Sequence, residues 1–96
     1  MEIVVGYDVS TSTAEGRRRL RRVADACLAY GQRVQKSVFE CVLTPSQLLQ
    51  LEDRLVQLID PGQDRLRIYQ LREPRERFTR IFGTRAEIDV DAPLIV

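Results

Sequence analysis

The sequence contains no histidine and no tryptophan, a single methionine and only two cysteines. Without histidine, the commonest general base and the commonest metal ligand are both missing. A Ser/His/Asp hydrolase and a histidine-ligated metal centre are thereby excluded. Cys27 and Cys41 are too few and too far apart for a zinc site or a disulfide framework, so both read as small buried hydrophobes. No apolar run approaches the roughly 20 residues that span a membrane. The first residues, Met1-Glu2-Ile3-Val4-Val5, lack the basic region and long apolar stretch of a signal peptide, and the cytoplasm is the expected compartment. Repeats, low-complexity linkers and glycine-rich phosphate loops are absent. The net charge is only +1, so bulk charge does not point to a nucleic-acid partner.

What is present begins with a chain of 96 residues, the length of one domain. A chain this short buries one modest core, and dimerisation adds buried area. The basic side chains are uneven in kind and place. Fourteen are Arg, and Lys36 is the one Lys. Arginine makes planar, bidentate contacts with phosphate, although a G- and C-rich genome also favours its codons. Codon bias does not account for their clustering.

Residues 2 to 7 form a short β-branched run and read as a buried strand ending at Asp8. A polar loop follows. Ser12 and Glu15 match a capping box, and a helix is expected from there to about Tyr30, with Leu20, Val23, Ala24, Cys27 and Leu28 on its apolar stripe. Gly31 is placed to end it. Residues 33 to 43 read as strand, long enough to require a bend near Ser37 or a division in two. Thr44 and Pro45 open a second helix with Leu48, Leu51, Leu55, Leu58 and Ile59 as its stripe, stopped by Asp60-Pro61-Gly62. Residues 65 to 71 read as another strand, Ile81-Phe82 as a short one, and Ile88 to Val96 as an extended tail. The order is that of a βαββαβ ferredoxin-like α+β domain. It is read as a single domain over residues 1–96, with 75–96 a C-terminal extension pairing at a sheet edge in a homodimer.

Three groups of residues are candidates for chemistry. Asp8 lies just past a buried strand and before a polar loop, a frequent site position, although a turn or cap aspartate is the plainer alternative. One carboxylate is a poor Mg²⁺ site, but a two-fold axis presents it twice. The second group is Arg17-Arg18-Arg19-Leu20-Arg21-Arg22, at the start of the first helix. Each cation there opposes the macrodipole by about 0.3–1 kcal/mol, and neighbouring arginines repel. A phosphate backbone relieves both penalties. Arg17, Arg18, Arg19 and Arg22 are the nucleic-acid-binding candidates, with Arg18 and Arg22 facing away from the apolar stripe and Arg17 facing the Asp8 loop. The plainer alternative is a solvated face. The stretch Arg72, Arg75, Arg77 and Arg80 is interspersed with Glu73 and Glu76 and reads as such a face. Tyr7, Arg33, Ser37 and Phe39 are candidate supporting residues; Tyr7 and Phe39 fit a core equally well.

Four segments carry a resemblance. They are Val4-Val5-Gly6-Tyr7-Asp8, Gly16 to Ala24, Tyr30 to Cys41 with its Arg-Val-Gln-Lys-Ser-Val-Phe-Glu block, and Arg65-Leu66-Arg67-Ile68-Tyr69. In order and spacing, over roughly residues 2 to 71, the chain resembles the small CRISPR-associated Cas-two family. The resemblance implies a ferredoxin-like homodimer in which Asp8 of each subunit faces its partner and holds Mg²⁺. It implies work with the CRISPR-associated integrase of the Cas-one family in capturing and inserting spacer DNA. Some members of the family are described as metal-dependent nucleases acting on single-stranded RNA or duplex DNA. The Ser10-Thr11-Ser12-Thr13 loop departs from the more acidic loop of many relatives.

Three functions remain to be separated. A structural DNA-binding subunit predicts sequence-independent, salt-sensitive contact with phosphates. A nuclease predicts cleavage that depends on Asp8 and a divalent ion. A ferredoxin-like small-molecule-binding or regulatory dimer predicts a defined apolar pocket and no salt-sensitive nucleic-acid binding.

Overall fold

The computed structural model describes residues 1–83. The elements are β1 (Glu2–Asp8), α1 (Ala14–Leu28), β2 (Gly31–Gln35), β3 (Val38–Val42), α2 (Pro45–Leu58), β4 (Arg65–Leu71) and α3 (Arg75–Phe78). The strands form one antiparallel sheet in the order β2-β3-β1-β4. This is the ferredoxin-like α+β arrangement expected from the pattern. Among the described residues, no helix is long and apolar enough to cross a membrane.

Alternation along β1 sets the two faces of the sheet. Ile3, Val5 and Tyr7 are buried and cluster with Val23, Ala24 and Cys27 of α1 and Leu51 and Leu55 of α2. Both helices therefore cover that face. Glu2, Val4, Gly6 and Asp8 point the other way. There they neighbour Val38, Glu40 and Val42 of β3 and Arg65, Arg67, Tyr69 and Leu71 of β4. Val42 is 70% exposed and Tyr69 49%. Among the described residues this face is crossed in part, where Arg75 of α3 reaches Glu40 at 2.8 Å.

Several local expectations need correction. The cap of α1 is Thr13, not Ser12: its extended backbone lets Oγ1 accept from Gly16 N at 3.1 Å, and Ser12 meets Ser10 instead. Glu15 then stands too early in the helix to close a box. The helix ends at Leu28, and Tyr30 N donates to Cys27 O. Gly31 does not stop it in a left-handed turn. It opens β2, where a Cβ would collide with Cys41 Sγ, so glycine is needed for strand approach. The expected division of residues 33 to 43 does occur, into β2 and β3 around a turn at Lys36-Ser37, with a bulge between Arg33 and Gln35. Ser37 is thus a turn residue. Ile81 and Phe82 form no strand and are 85% and 86% exposed. The expected tail, Ile88 to Val96, lies outside the described residues.

The second helix follows its expected course. Thr44 Oγ1 accepts from Gln47 N at 3.2 Å while the Gln47 side chain accepts from Thr44 N at 2.9 Å, a reciprocal capping box with Pro45 in the first turn. Cys27 and Cys41 are buried free thiols. Burial, helped by the neighbouring Cys41, pushes the Cys27 thiol up to about 12, which keeps it unreactive at neutral pH.

Candidate functional site around Asp8

Asp8 is the last residue of β1 and is exposed. Its strand partner on one side is Arg65 of β4. On the other side the ladder to β3 ends at Gly6 and Val38, and Tyr7 N then donates to Ser37 O at 3.1 Å. The β2–β3 turn is thereby held beside Asp8. The carboxylate stands between two shallow hollows. The larger has a volume of about 590 Å³ and is bounded by α1 through Arg17, Leu20, Arg21 and Ala24, and by Arg33, Lys36 and Ser37 on the hairpin side. The smaller, of about 360 Å³, is bounded by Ser37 and by Arg65, Arg67 and Tyr69 of β4. Six cationic side chains, with Asp25 as a second carboxylate, therefore line the hollows around Asp8. Such a collar attracts a polyanion, and both hollows are open to solvent. They are unlike the enclosed apolar pocket of a small-molecule sensor.

Of the four supporting residues, Tyr7, Arg33 and Ser37 line the hollows, and Phe39 lies in the core and lines neither. Tyr7 and Phe39 are core residues, 6% and 0% exposed, with rings stacked at 6.1 Å. The Arg33 guanidinium stands 5.0 Å from the centre of the Phe39 ring, and its Nε is buried without a hydrogen-bond partner. Burial pushes the Tyr7 phenol up, the Cys27 thiol adds to this, and Arg33 partly offsets it. Tyr7 is therefore a neutral donor, and its hydroxyl donates to Lys36 O at 3.3 Å. Ser37 lines both hollows.

The arginines of α1 separate by environment. Arg18 and Arg22 are exposed, as their spacing predicts. Arg17 is exposed and turned toward the loop, donating to Thr11 O at 3.2 Å. Arg19 is different, and its reading as a phosphate ligand needs correction. Its Nε donates to Asp64 Oδ2 at 2.9 Å, and its side chain is only 15% exposed. The cation is already neutralised, so it belongs to the fold. Arg21, Lys36, Arg65 and Arg67 join the site although the sequence reading did not select them. The alternation of Arg65-Leu66-Arg67-Ile68-Tyr69 was the available signal, since period two puts both arginines on the outer face with Asp8. On the other basic stretch, Arg75 pairs with Glu40 and Arg72 stands 5.8 Å from the Phe78 ring.

Asp64 carries a buried carboxylate that the sequence concealed. Its side chain has no exposure. It accepts from Arg19, from Ser10 N at 3.0 Å and from Asp60 N at 2.8 Å. Burial raises its carboxyl, but the bonds from Arg19 and from the amides of Asp60 and Ser10 outweigh this and hold it below the ordinary carboxylate value. The unfolded value is about 3.9. A lowered folded value means that the stabilisation is complete at neutral pH and is lost as pH falls from about 4 through the folded value. The acid side of the stability–pH curve is therefore expected to flatten in Asp64→Asn. An unchanged slope in denaturant titrations from pH 5 to about pH 2 would remove Asp64 as the source of acid sensitivity.

Among the described residues, no group of three or more Cys, Asp or Glu side chains converges as metal ligands. Asp8 of one chain is thus an incomplete donor set for Mg²⁺, which prefers six oxygens and keeps several waters.

Comparison with known proteins agrees with this layout. The family model for CRISPR associated protein Cas2 matches residues 1–78. CRISPR-associated endoribonuclease Cas2 1 of Moorella thermoacetica is 52% identical over 96 residues, 100% of both chains. CRISPR-associated endonuclease Cas2 of Halalkalibacterium halodurans is 46% identical over 95 residues, 99% of each chain. The crystal structure of Streptococcus pyogenes Cas2 superposes with a TM-score of 0.77 at 47% identity, covering 86% of this chain and 100% of that one. With its βαββαβ topology and its matched residues spanning every described element through α3, this chain belongs to the CRISPR associated protein Cas2 family.

Proposed function

We propose that the protein is a dimeric, cytoplasmic, DNA-handling subunit of CRISPR adaptation, acting with the Cas-one integrase, and that it carries metal-dependent endonuclease activity centred on Asp8. The observation that carries this reading is the collar of Arg and Lys side chains around one exposed carboxylate at the end of β1. The names of the relatives, an endoribonuclease and an endonuclease, support the chemistry.

A second copy is the natural cover for the open sheet face. That face carries Val42 and Tyr69, and Phe78, Ile81 and Phe82 are exposed further along the chain. Apolar surface of this kind favours association. Asp8 lies at the end of the same face, so a two-fold partner packed there brings a second Asp8 close. Two carboxylates and waters then form a plausible Mg²⁺ shell. Such an ion supplies charge neutralisation for a phosphodiester and an activated water. The chain's own arginines bind and orient the backbone.

Arg17, Arg18 and Arg22 are the exposed α1 cations to test on duplex DNA. Replacing all three with Ala is expected to reduce the slope of log affinity against log salt by about 1 per lost phosphate contact, for all sequences alike. Folding stability should hold or rise, because Ala is better tolerated at a positive helix end. Retention of the full salt slope in filter binding would move the DNA site off this helix.

A further inference from the structure

We infer that Asp64 is a positioning residue for the Asp8 site, holding the backbone of the loop that joins β1 to α1. The inference rests on the reading of Asp8 as the working carboxylate. Its structural ground is independent of that reading.

The ladder between β1 and β4 ends at Asp8 and Arg65. The next residue of β4's entry, Asp64, extends that grip with its side chain, accepting from Ser10 N at 3.0 Å. From the opposite side the Ser10 carbonyl meets Gly16 of α1. A Cβ at Gly16 would run into that oxygen and would stand 3.0 Å from Ser10 C. The Ser10 backbone is therefore held at its amide by a buried carboxylate and at its carbonyl by a bare helix backbone. Thr11 O receives Arg17, so the same short loop also aims a cation of the collar. Asp60 N and Arg19 fill the remaining acceptor positions of Asp64 and fix the carboxylate itself. Three segments meet at one side chain: the Asp8 loop, α1 and the turn before β4. Loosening it frees the backbone two residues from Asp8 and the guanidinium of Arg17 together, while most of the collar stays on its own elements. Binding of a long polyanion should survive that loss; alignment of its phosphodiester with Asp8 should not.

The test uses the full-length protein with excess Mg²⁺ and a single-stranded RNA and a duplex DNA as probes. Asp64→Asn is compared with Leu55→Ala, a core change in α2 that lowers stability without touching the loop. In Asp64→Asn, kcat per folded molecule is expected to fall by about 10-fold or more, with KM little changed, as for other supports of a site. Amide exchange at Ser10 should accelerate far more than at Val5 in the centre of β1. In Leu55→Ala, kcat per folded molecule should hold and the two amides should shift together. If Asp64→Asn shows the Leu55→Ala pattern, Asp64 only supports the fold and the inference fails. Should Asp64→Asn not fold, Asp64→Glu keeps the charge while displacing the carboxylate, and the same comparison of Ser10 with Val5 decides. Full cleavage by Asp8→Asn, by contrast, sinks the catalytic reading while the exchange data still judge the loop.

Discussion

Asp8→Asn is expected to lower metal-dependent cleavage by about 100-fold or more, the scale on which removing one electrostatic element of a site acts. Asparagine keeps the size and one carbonyl oxygen and removes the charge that holds a divalent ion. With no histidine in the chain, no other side chain of the commonest base type is available to replace it. The fold should be unaffected, because Asp8 is exposed and ends its strand. Dimer formation should be retained or strengthened, since two metal-free carboxylates near an axis repel. Duplex DNA binding should also be retained, since the collar of cations is intact. Cleavage, dimer mass and DNA affinity measured on one preparation separate the outcomes. Cleavage at the wild-type rate would end the catalytic assignment, and loss of the dimer would make Asp8 an interface residue.

Phe39→Ala is expected to cost about 3–5 kcal/mol, the range for emptying a buried aromatic site. Phe39 is the largest of the fully buried side chains and lies in β3 between Tyr7 and the Arg33 guanidinium. For a domain whose total stability is about 5–15 kcal/mol, that loss is a large fraction. At about 4–8 °C per kcal/mol, Tm should fall by at least about 12 °C. The same change removes the platform under Arg33, so the collar at Asp8 loosens with the core. Phe39→Leu keeps most of the volume and should lose much less. A Tm drop of only a few degrees in Phe39→Ala would show that the core closes over the vacated space and that Phe39 is not a main support of the fold.

The comparison of these two residues shows how differently they were readable. The place of Asp8 at a strand end was legible because a β-branched run ended at an acid before a polar loop, while its candidate role came from the family resemblance. Phe39 was ambiguous, because a strand aromatic suits both a core and a binding surface. The fold itself was legible from periodicity. Leu51 and Leu55 at helical spacing, and Ile3 and Val5 in alternation, report which side of an element is dry, and burial confirms it. Caps were legible to within one residue. Ser12 and Thr13 carry the same chemistry, and only the path of the backbone selects Thr13.

The sequence by itself therefore determined the order of elements through β4, the apolar faces, the family and the cationic character of the first helix, because these depend on spacing along the chain; the short α3, and no strand at Ile81-Phe82, came only with the structure. Tertiary structure decided which cations are free. Arg18 and Arg19 are adjacent and chemically identical, yet one faces solvent and the other is bound to an acid 45 residues away. It likewise assigned Gly31 to strand approach and Gly16 to the Ser10 peptide, and gathered Arg33, Lys36, Arg65 and Arg67 around Asp8. The physical reason is that an ion pair, a close backbone approach and a charge collar are fixed by distance in space. Residues remote in sequence meet there only after the sheet has set its order.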